Sequence, residues 1–261
     1  MTTYDVEAFR IATLPVPGWE AFFGINDTEF HDLAFYIWHV TDGIRHALVD
    51  TGLPMDPQDL EDLDAACRGV DERSTFTDVV GIDRALEAFA LRPEDIDAVL
   101  LTQTLTYHSG GLLEEFLPRA EVYMALPGVL EFLLDPPGHP APHLYFSAPT
   151  WMFLRKLGIE RRLHLVESEV EVWPGLIFDA TGGHHPGSGG VRVRTAEGML
   201  GILEAAFLER NITEIRPIGI AEDTARVRAT IKRYLATTDL TVAGHEPGNA
   251  TRFPVRERPA R

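Results

Sequence analysis

Residues 99–111 read Val-Leu-Leu-Thr-Gln-Thr-Leu-Thr-Tyr-His-Ser-Gly-Gly, and no other stretch restricts the fold as strongly. An apolar run with β-branched side chains, closed by a glycine pair, specifies a buried strand that ends in a turn. The Ser-Gly-Gly triplet is expected to lead through Leu112-Leu113 into a helix. Strand ends that open into polar loops are common sites of chemistry, because a rigid scaffold holds the loop in place. Tyr107 and His108 stand there.

The rest of the chain alternates strand and helix signals. Residues 9–14 form an extended segment that Pro15, Pro17 and Gly18 are expected to break. Residues 33–40 predict a strand, turned at Thr41-Asp42-Gly43 and paired with residues 46–51 as a hairpin. Helical spacing recurs over residues 60–66, 79–89, 127–134 and 223–234. From Arg162 the period changes to two, predicting strands near 163–166, 170–173, 176–180, 191–194, 199–203 and 240–243.

Residues 135–142 are a Pro-rich, loop-like insertion, and residues 256–261 read as a frayed tail. Residues 144–157 carry Tyr145, Phe146, Trp151, Met152 and Phe153. This aromatic cluster has three roles open to it: core packing, a roof over a pocket, or a homodimer contact. Two strand-and-helix halves follow one another without a Gly/Ser linker, which points to one α/β domain over residues 1–261.

Composition removes several functions. With 23 Lys and Arg against 40 Asp and Glu the formal charge is −17, which opposes nucleic acid and anionic membrane partners. Cys67 is the single cysteine, so neither an intrachain disulfide nor a cysteine metal cluster can form. In its helical surroundings it is expected to be a packed thiol. The start of the chain lacks the basic and apolar regions of a secretory signal, and no apolar run approaches a membrane span. A cytoplasmic protein acting on a small molecule is the expectation.

Four more stretches line up behind residues 99–111. They are Val49-Asp50-Thr51-Gly52, Thr181-Gly182-Gly183-His184-His185-Pro186-Gly187-Ser188, Gly201-Ile202-Leu203-Glu204-Ala205-Ala206-Phe207, and Val242-Ala243-Gly244-His245-Glu246-Pro247-Gly248. In this order the five segments resemble the metallo-β-lactamase superfamily, with its L-T-H-x-H-x-D-H-x-G-G loop, V-D-T-G turn, T-P-G-H-T-P-G-H loop, L-x-G-D-A-x-Y strand end and closing G-H-D-P. The segments 35–52 and 211–248 look closest to the branch holding N-acyl homoserine lactone lactonases and pyridoxolactonase-like enzymes. The resemblance implies an αββα sandwich of two mixed sheets flanked by helices, with the site where strand ends meet.

Several ligands of that pattern are absent. Gln103 stands at the first His of the signature, Leu105 at the second and Tyr107 at the Asp, and only His108 matches. Glu204 takes the place of the bridging Asp, and His184 and His245 match the third and last His positions. Leu105 cannot coordinate, and an amide oxygen from Gln103 is a poor zinc ligand, so the pattern argues against a binuclear centre. His108, Glu204 and His245, with His184 as a fourth candidate, can hold a single Zn²⁺, Fe²⁺ or Mn²⁺.

The favoured expectation is a diverged hydrolase of a lactone or related ester. One such ion would activate water, and Tyr107 would donate a hydrogen bond to the developing oxyanion or leaving oxygen. Two alternatives stay open. Metal-free acid–base chemistry by Tyr107, His108, His184 and Glu204 could run a lyase, isomerase or cyclase step. The cavity could also belong to an inactive ligand-binding protein. His31, His39, His46 and His164 are expected to be packed or superficial, and His139 and His143 to face solvent from the Pro-rich loop. His185 should point away from His184 on an extended backbone, and Asp50 reads as a turn-forming, hydrogen-bonding residue.

Overall fold

The computed structural model describes residues 2–134 and 144–256. The Pro-rich insertion with His139 and His143, and all of the expected frayed tail beyond Arg256, lie outside the described residues. The first sheet has six strands in the order β1 (Asp5–Pro17), β2 (Phe30–Thr41), β3 (His46–Val49), β4 (Ala98–Leu101), β5 (Glu121–Ala125) and β6 (Leu163–Val166). β1, β2 and β3 pair antiparallel, whereas β3 to β6 run parallel. The second sheet adds β7 (Glu169–Trp173), β8 (Leu176–Asp179), β9 (Gly190–Thr195), β10 (Gly198–Leu203) and β11 (Leu240–Ala243), ordered β11-β10-β9-β8-β7. Only β10 and β11 pair parallel there, so both sheets are mixed.

The side-chain period explains the layering. Along β2, Ala34, Tyr36, Trp38 and Val40 meet Phe178, Val191, Val193 and Ile202 of the second sheet. The intervening Phe35 and Ile37 turn the other way, towards Leu63, Ile82 and Phe89 on helices Pro57–Val70 and Ile82–Ala88 and just beyond. A strand with both faces covered is apolar throughout, and this is why β2 reads as a continuous hydrophobic run. On the outer face of the second sheet, Val227, Ile231 and Tyr234 of helix Thr224–Thr237 pack on Leu203 and Ala243. The αββα sandwich expected from the resemblance is therefore the observed architecture. Among the described residues no helix is long and apolar enough to cross a membrane.

Two local expectations need correction. β1 does not stop at Pro15 and Pro17 but carries them to its end, with Pro15 opposite Asp32 and Pro17 opposite Phe30. β1 is the edge of its sheet, where a missing N–H can face outward at no cost to the ladder. No helix follows Gly110-Gly111 either; instead a short helix, Thr106–Ser109, precedes them. The glycines serve close packing. A Cβ on Gly110 would lie 2.2 Å from Pro54 N, and one on Gly111 2.2 Å from Thr51 O. That contact lets Gly110 N donate to Gly52 O at 2.9 Å and Thr51 N to His108 O at 2.8 Å, locking the 50–53 turn against the signature loop.

The aromatic segment packs largely as core: Tyr145, Phe146 and Phe153 are buried, Trp151 stacks near Phe132 and Phe146, and Met152 is exposed.

Candidate metal centre

All five motif segments deliver their residues to one edge of the sandwich, just past the C-terminal ends of β3, β4, β8, β10 and β11. His108, Glu204 and His245 converge there, each buried and each offering a ligand atom within 4.8 Å of the others. His108 comes from the first sheet's loops, and Glu204 and His245 from the second sheet's strand ends. The centre thus sits on the seam between the layers.

Each imidazole has its orientation fixed from behind. His108 Nδ1 donates to Asp50 Oδ2 at 2.8 Å. Asp50 is itself held by Thr102, whose N donates to Oδ1 and whose Oγ1 donates to Oδ2, both at 2.7 Å. The φ of 63° at Asp50 shows why the turn is unusual: the left-handed backbone points the carboxylate back under the signature loop. His245 Nδ1 donates to the Ala34 carbonyl at 3.2 Å. With Nδ1 committed to an acceptor behind it, each ring in its neutral form carries its lone pair on Nε2, the atom through which it would bind a metal.

Glu204 is shared between two environments. Its Oε1 accepts from His184 Nδ1 at 2.5 Å and from Gln103 Nε2 at 2.6 Å. Its Oε2, like His108 Nε2, is buried and has no hydrogen-bond partner among the described residues. Leaving such atoms unpaired costs about 1–3 kcal/mol each, more for an ionised group. Two unpaired basic atoms, one imidazole and one carboxylate, beside a second imidazole are a donor set that fits one divalent cation. Gln103 gives its amide N–H to Glu204 and leaves its own Oε1 buried without a partner among the described residues, Leu105 brings no donor, and His184 lies outside the group of three, on the Oε1 side of Glu204.

The charges agree with this division. Burial pushes the Glu204 carboxyl up, but His184, with His185 and His108, more than reverses it and holds the group down at about 2. Burial and the neighbouring His108 hold His245 down at about 3, so that its imidazole is neutral. Burial also lowers His108, yet Asp50 outweighs it and the net direction is upward. For Tyr107, burial and the Glu204 charge push the phenol well above its ordinary value, so it remains a proton donor.

Aromatic rings wall the centre. Phe35 packs at 4.5 Å from His245 and 5.6 Å from Tyr107, and Phe207 at 5.2 Å from His184 and 5.3 Å from His245, between ring centroids. Beyond them opens a cavity of about 420 Å³, lined by Tyr107, His184, His245, Phe35 and Phe207 and continuing between Leu63, Cys67, Val70 and Ile220. That volume lies in the range of small-molecule sites. Burial pushes the Cys67 thiol up to about 12, so it is a wall and no nucleophile.

The other described histidines have partners elsewhere. His39 bonds Glu7 at 2.8 Å and His46 at 3.0 Å, His31 bonds Asp27 at 3.1 Å, and His164 bonds Glu121 at 2.6 Å. His185 turns towards Glu131 and accepts from Gly187 N at 3.1 Å. Sequence reasoning missed the partnership of Asp50 with His108, the hold of Gln103 on Glu204, and Phe35 as a wall. The positive-φ turn V-D-T-G was the one signal that could have pointed to the first.

No family model and no curated relative matches this sequence. Solved structures do. One is an N-acyl homoserine lactone hydrolase with the product N-hexanoyl-L-homoserine bound at the catalytic metal centre, with TM-score 0.76, 16% identity and coverage of 98% of both chains. Another is the hydrolase AbOPH of the β-lactamase superfamily, with TM-score 0.68, 16% identity and coverage of 95% of this chain and 88% of that one. A third is AidC, a dizinc quorum-quenching lactonase, with TM-score 0.62, 13% identity and coverage of 95% and 92%. At these identities the likeness establishes the fold, which is that of the metallo-β-lactamase superfamily.

Proposed function

With the metallo-β-lactamase fold as premise, we propose that this chain hydrolyses a small-molecule lactone or related ester, using one divalent metal held by His108, Glu204 and His245. The observation that carries the reading is the meeting of two partnerless buried atoms, His108 Nε2 and Glu204 Oε2, with His245 inside 4.8 Å. The structural neighbours that act on N-acyl homoserine lactones support the substrate class.

An ion in this position supplies Lewis acidity, polarising a carbonyl and acidifying water. The chain's own residues do the rest. Asp50 holds the His108 ring and accepts its Nδ1 proton, so Nε2 stays basic and correctly aimed. His184 and Gln103 pin Oε1 of Glu204, leaving Oε2 as the single donor oxygen. Tyr107 keeps its proton across the physiological range and donates a hydrogen bond to the charge that develops on a carbonyl or leaving oxygen. Phe35 and Phe207 exclude bulk water from these contacts.

Elemental analysis of protein grown with Zn²⁺ or Mn²⁺ tests the reading. About one equivalent is expected, reduced to background in His108→Ala and His245→Ala, whereas well below half an equivalent in the parent chain would refute it.

The contacts of Glu204 Oε1 also favour a second reading, in which the site works without metal. His184 and Glu204, 2.5 Å apart and buried, form a proton-transfer pair, with Tyr107 as donor across the cavity. Turnover that resists chelators and falls in His184→Ala supports this reading over the first.

A further inference from the structure

The cavity that opens from the centre contains one feature that lactone hydrolysis does not use. Among the described residues that line it, Glu20 is the only carboxylate, set among Leu14, Val16, Ala66, Val70 and Ile220. Its carboxylate makes no hydrogen bond and no ion pair with any described residue. Its position is nevertheless fixed. Helix Gly18–Ala21, which carries it, is tied to the 217–219 loop by Gly219 N donating to Glu20 O at 2.7 Å and Phe23 N to Pro217 O at 2.9 Å. The approach is close enough that a Cβ on Gly219 would lie 1.6 Å from Trp19 O.

A half-buried carboxylate in an apolar wall, on a fixed backbone and without a partner among the described residues, is costly to ionise unless a ligand supplies one. We propose that Glu20 is a cation subsite, and that the substrate is an apolar lactone or ester bearing a protonated amine. The inference rests on the hydrolase reading above and narrows it.

Three observations converge. First, among the described residues no positive group pairs with Glu20: the charged neighbour that acts on it is Asp71, itself paired with Arg73 at 3.0 Å. Second, burial raises Glu20 to about 7, which leaves it ready to ionise against an ammonium group near neutrality. Third, the formal charge of −17 concentrates cations at the surface and repels anionic competitors. The rest of the cavity suits a hydrocarbon body, so the matching ligand is amphiphilic, with its ester carbonyl at Tyr107 and His245 and its amine at Glu20.

The test uses octylamine and octanol as probes of equal length, titrated calorimetrically into the full chain and into Glu20→Gln. Octylamine should bind the parent about tenfold more tightly than octanol, the factor that one charge-assisted hydrogen bond supplies. Glu20→Gln should bring the two probes to parity, which separates Glu20 from Glu204 as the carboxylate responsible. In the parent, octylamine binding should strengthen from about pH 6 to about pH 8 as Glu20 loses its proton. This second measurement needs no variant, so a poorly folded Glu20→Gln leaves the idea testable. Equal affinities in the parent, a preference that survives Glu20→Gln, or binding that weakens with rising pH would each overturn the subsite. Because binding is read without turnover, an absence of lactone hydrolysis would count against the function and leave the subsite standing.

Discussion

At the residue scale the centre depends on groups that orient other groups. Asp50 is not one of the three residues His108, Glu204 and His245 that converge, yet it sets which nitrogen of His108 carries the lone pair. Asp50→Asn keeps the size and one acceptor oxygen for Thr102 N, but puts a donor NH2 where Oδ2 accepted from Thr102 Oγ1 and His108 Nδ1. It should weaken metal affinity about 10–100-fold, with secondary structure unchanged by circular dichroism. Chelator competition measures this, and an unchanged affinity would show that His108 needs no partner. The Gln103 position illustrates the same point in reverse. A side chain too poor to be a ligand is instead a hydrogen-bond donor, and by bonding Glu204 it fixes which carboxylate oxygen is left over.

At the scale of elements, a buried ionic cluster joins three pieces of the second sheet's outer layer. Asp179 on β8 accepts from Arg192 on β9 at 2.9 Å, and from Tyr234 at 2.8 Å and Arg233 at 3.1 Å on helix Thr224–Thr237. Burial pushes Asp179 up, but the hydrogen bonds from Arg192 and Tyr234 and both guanidinium charges prevail, and its pKa falls below the usual 3.8. A carboxyl depressed on folding stabilises the folded state fully above its unfolded value and loses that contribution as pH falls through the folded one. Asp179→Asn should therefore cost about 1–3 kcal/mol near neutrality, since Arg192 and Arg233 lose the buried carboxylate and keep only Glu169 as an anionic partner among the described residues. The gap from the parent in urea melts should close below about pH 3.8, the usual carboxyl value. A gap that persists in acid would mean the loss is one of packing.

At the scale of the whole molecule, the candidate ligands divide between the layers: His108 belongs to the first sheet's side, Glu204 and His245 to the second. An ion bound by all three would fasten the two sheets, so its binding free energy adds to global stability. Saturating Zn²⁺ or Mn²⁺ should raise the melting temperature of the parent by the equivalent of about 3–4 kcal/mol when free metal stands at roughly 100 to 1,000 times its Kd. The same titration of His245→Ala should leave the melting temperature unmoved. An equal rise in both would indicate general screening of the −17 charge.

The sequence by itself determined a strand-rich α/β chain and the candidate residues, and its family resemblance implied the sandwich. Apolar runs marked strands of the first sheet, and the period-two runs from Arg162 marked β6 and the strands of the second sheet. Five motif segments in order marked His108, His184, Glu204 and His245, because such patterns are local and survive in one dimension. Only the tertiary structure decided how these residues divide the work. Asp50 and His108 are 58 positions apart and Gln103 and Glu204 101 apart, and no periodicity reports a contact of that length. The same holds for Pro15 and Pro17, tolerated because β1 lies at an edge, and for Gly110 and Gly111, required because another loop presses against them. Local pattern reports what a residue buries; what it buries against is settled by the packing of distant segments.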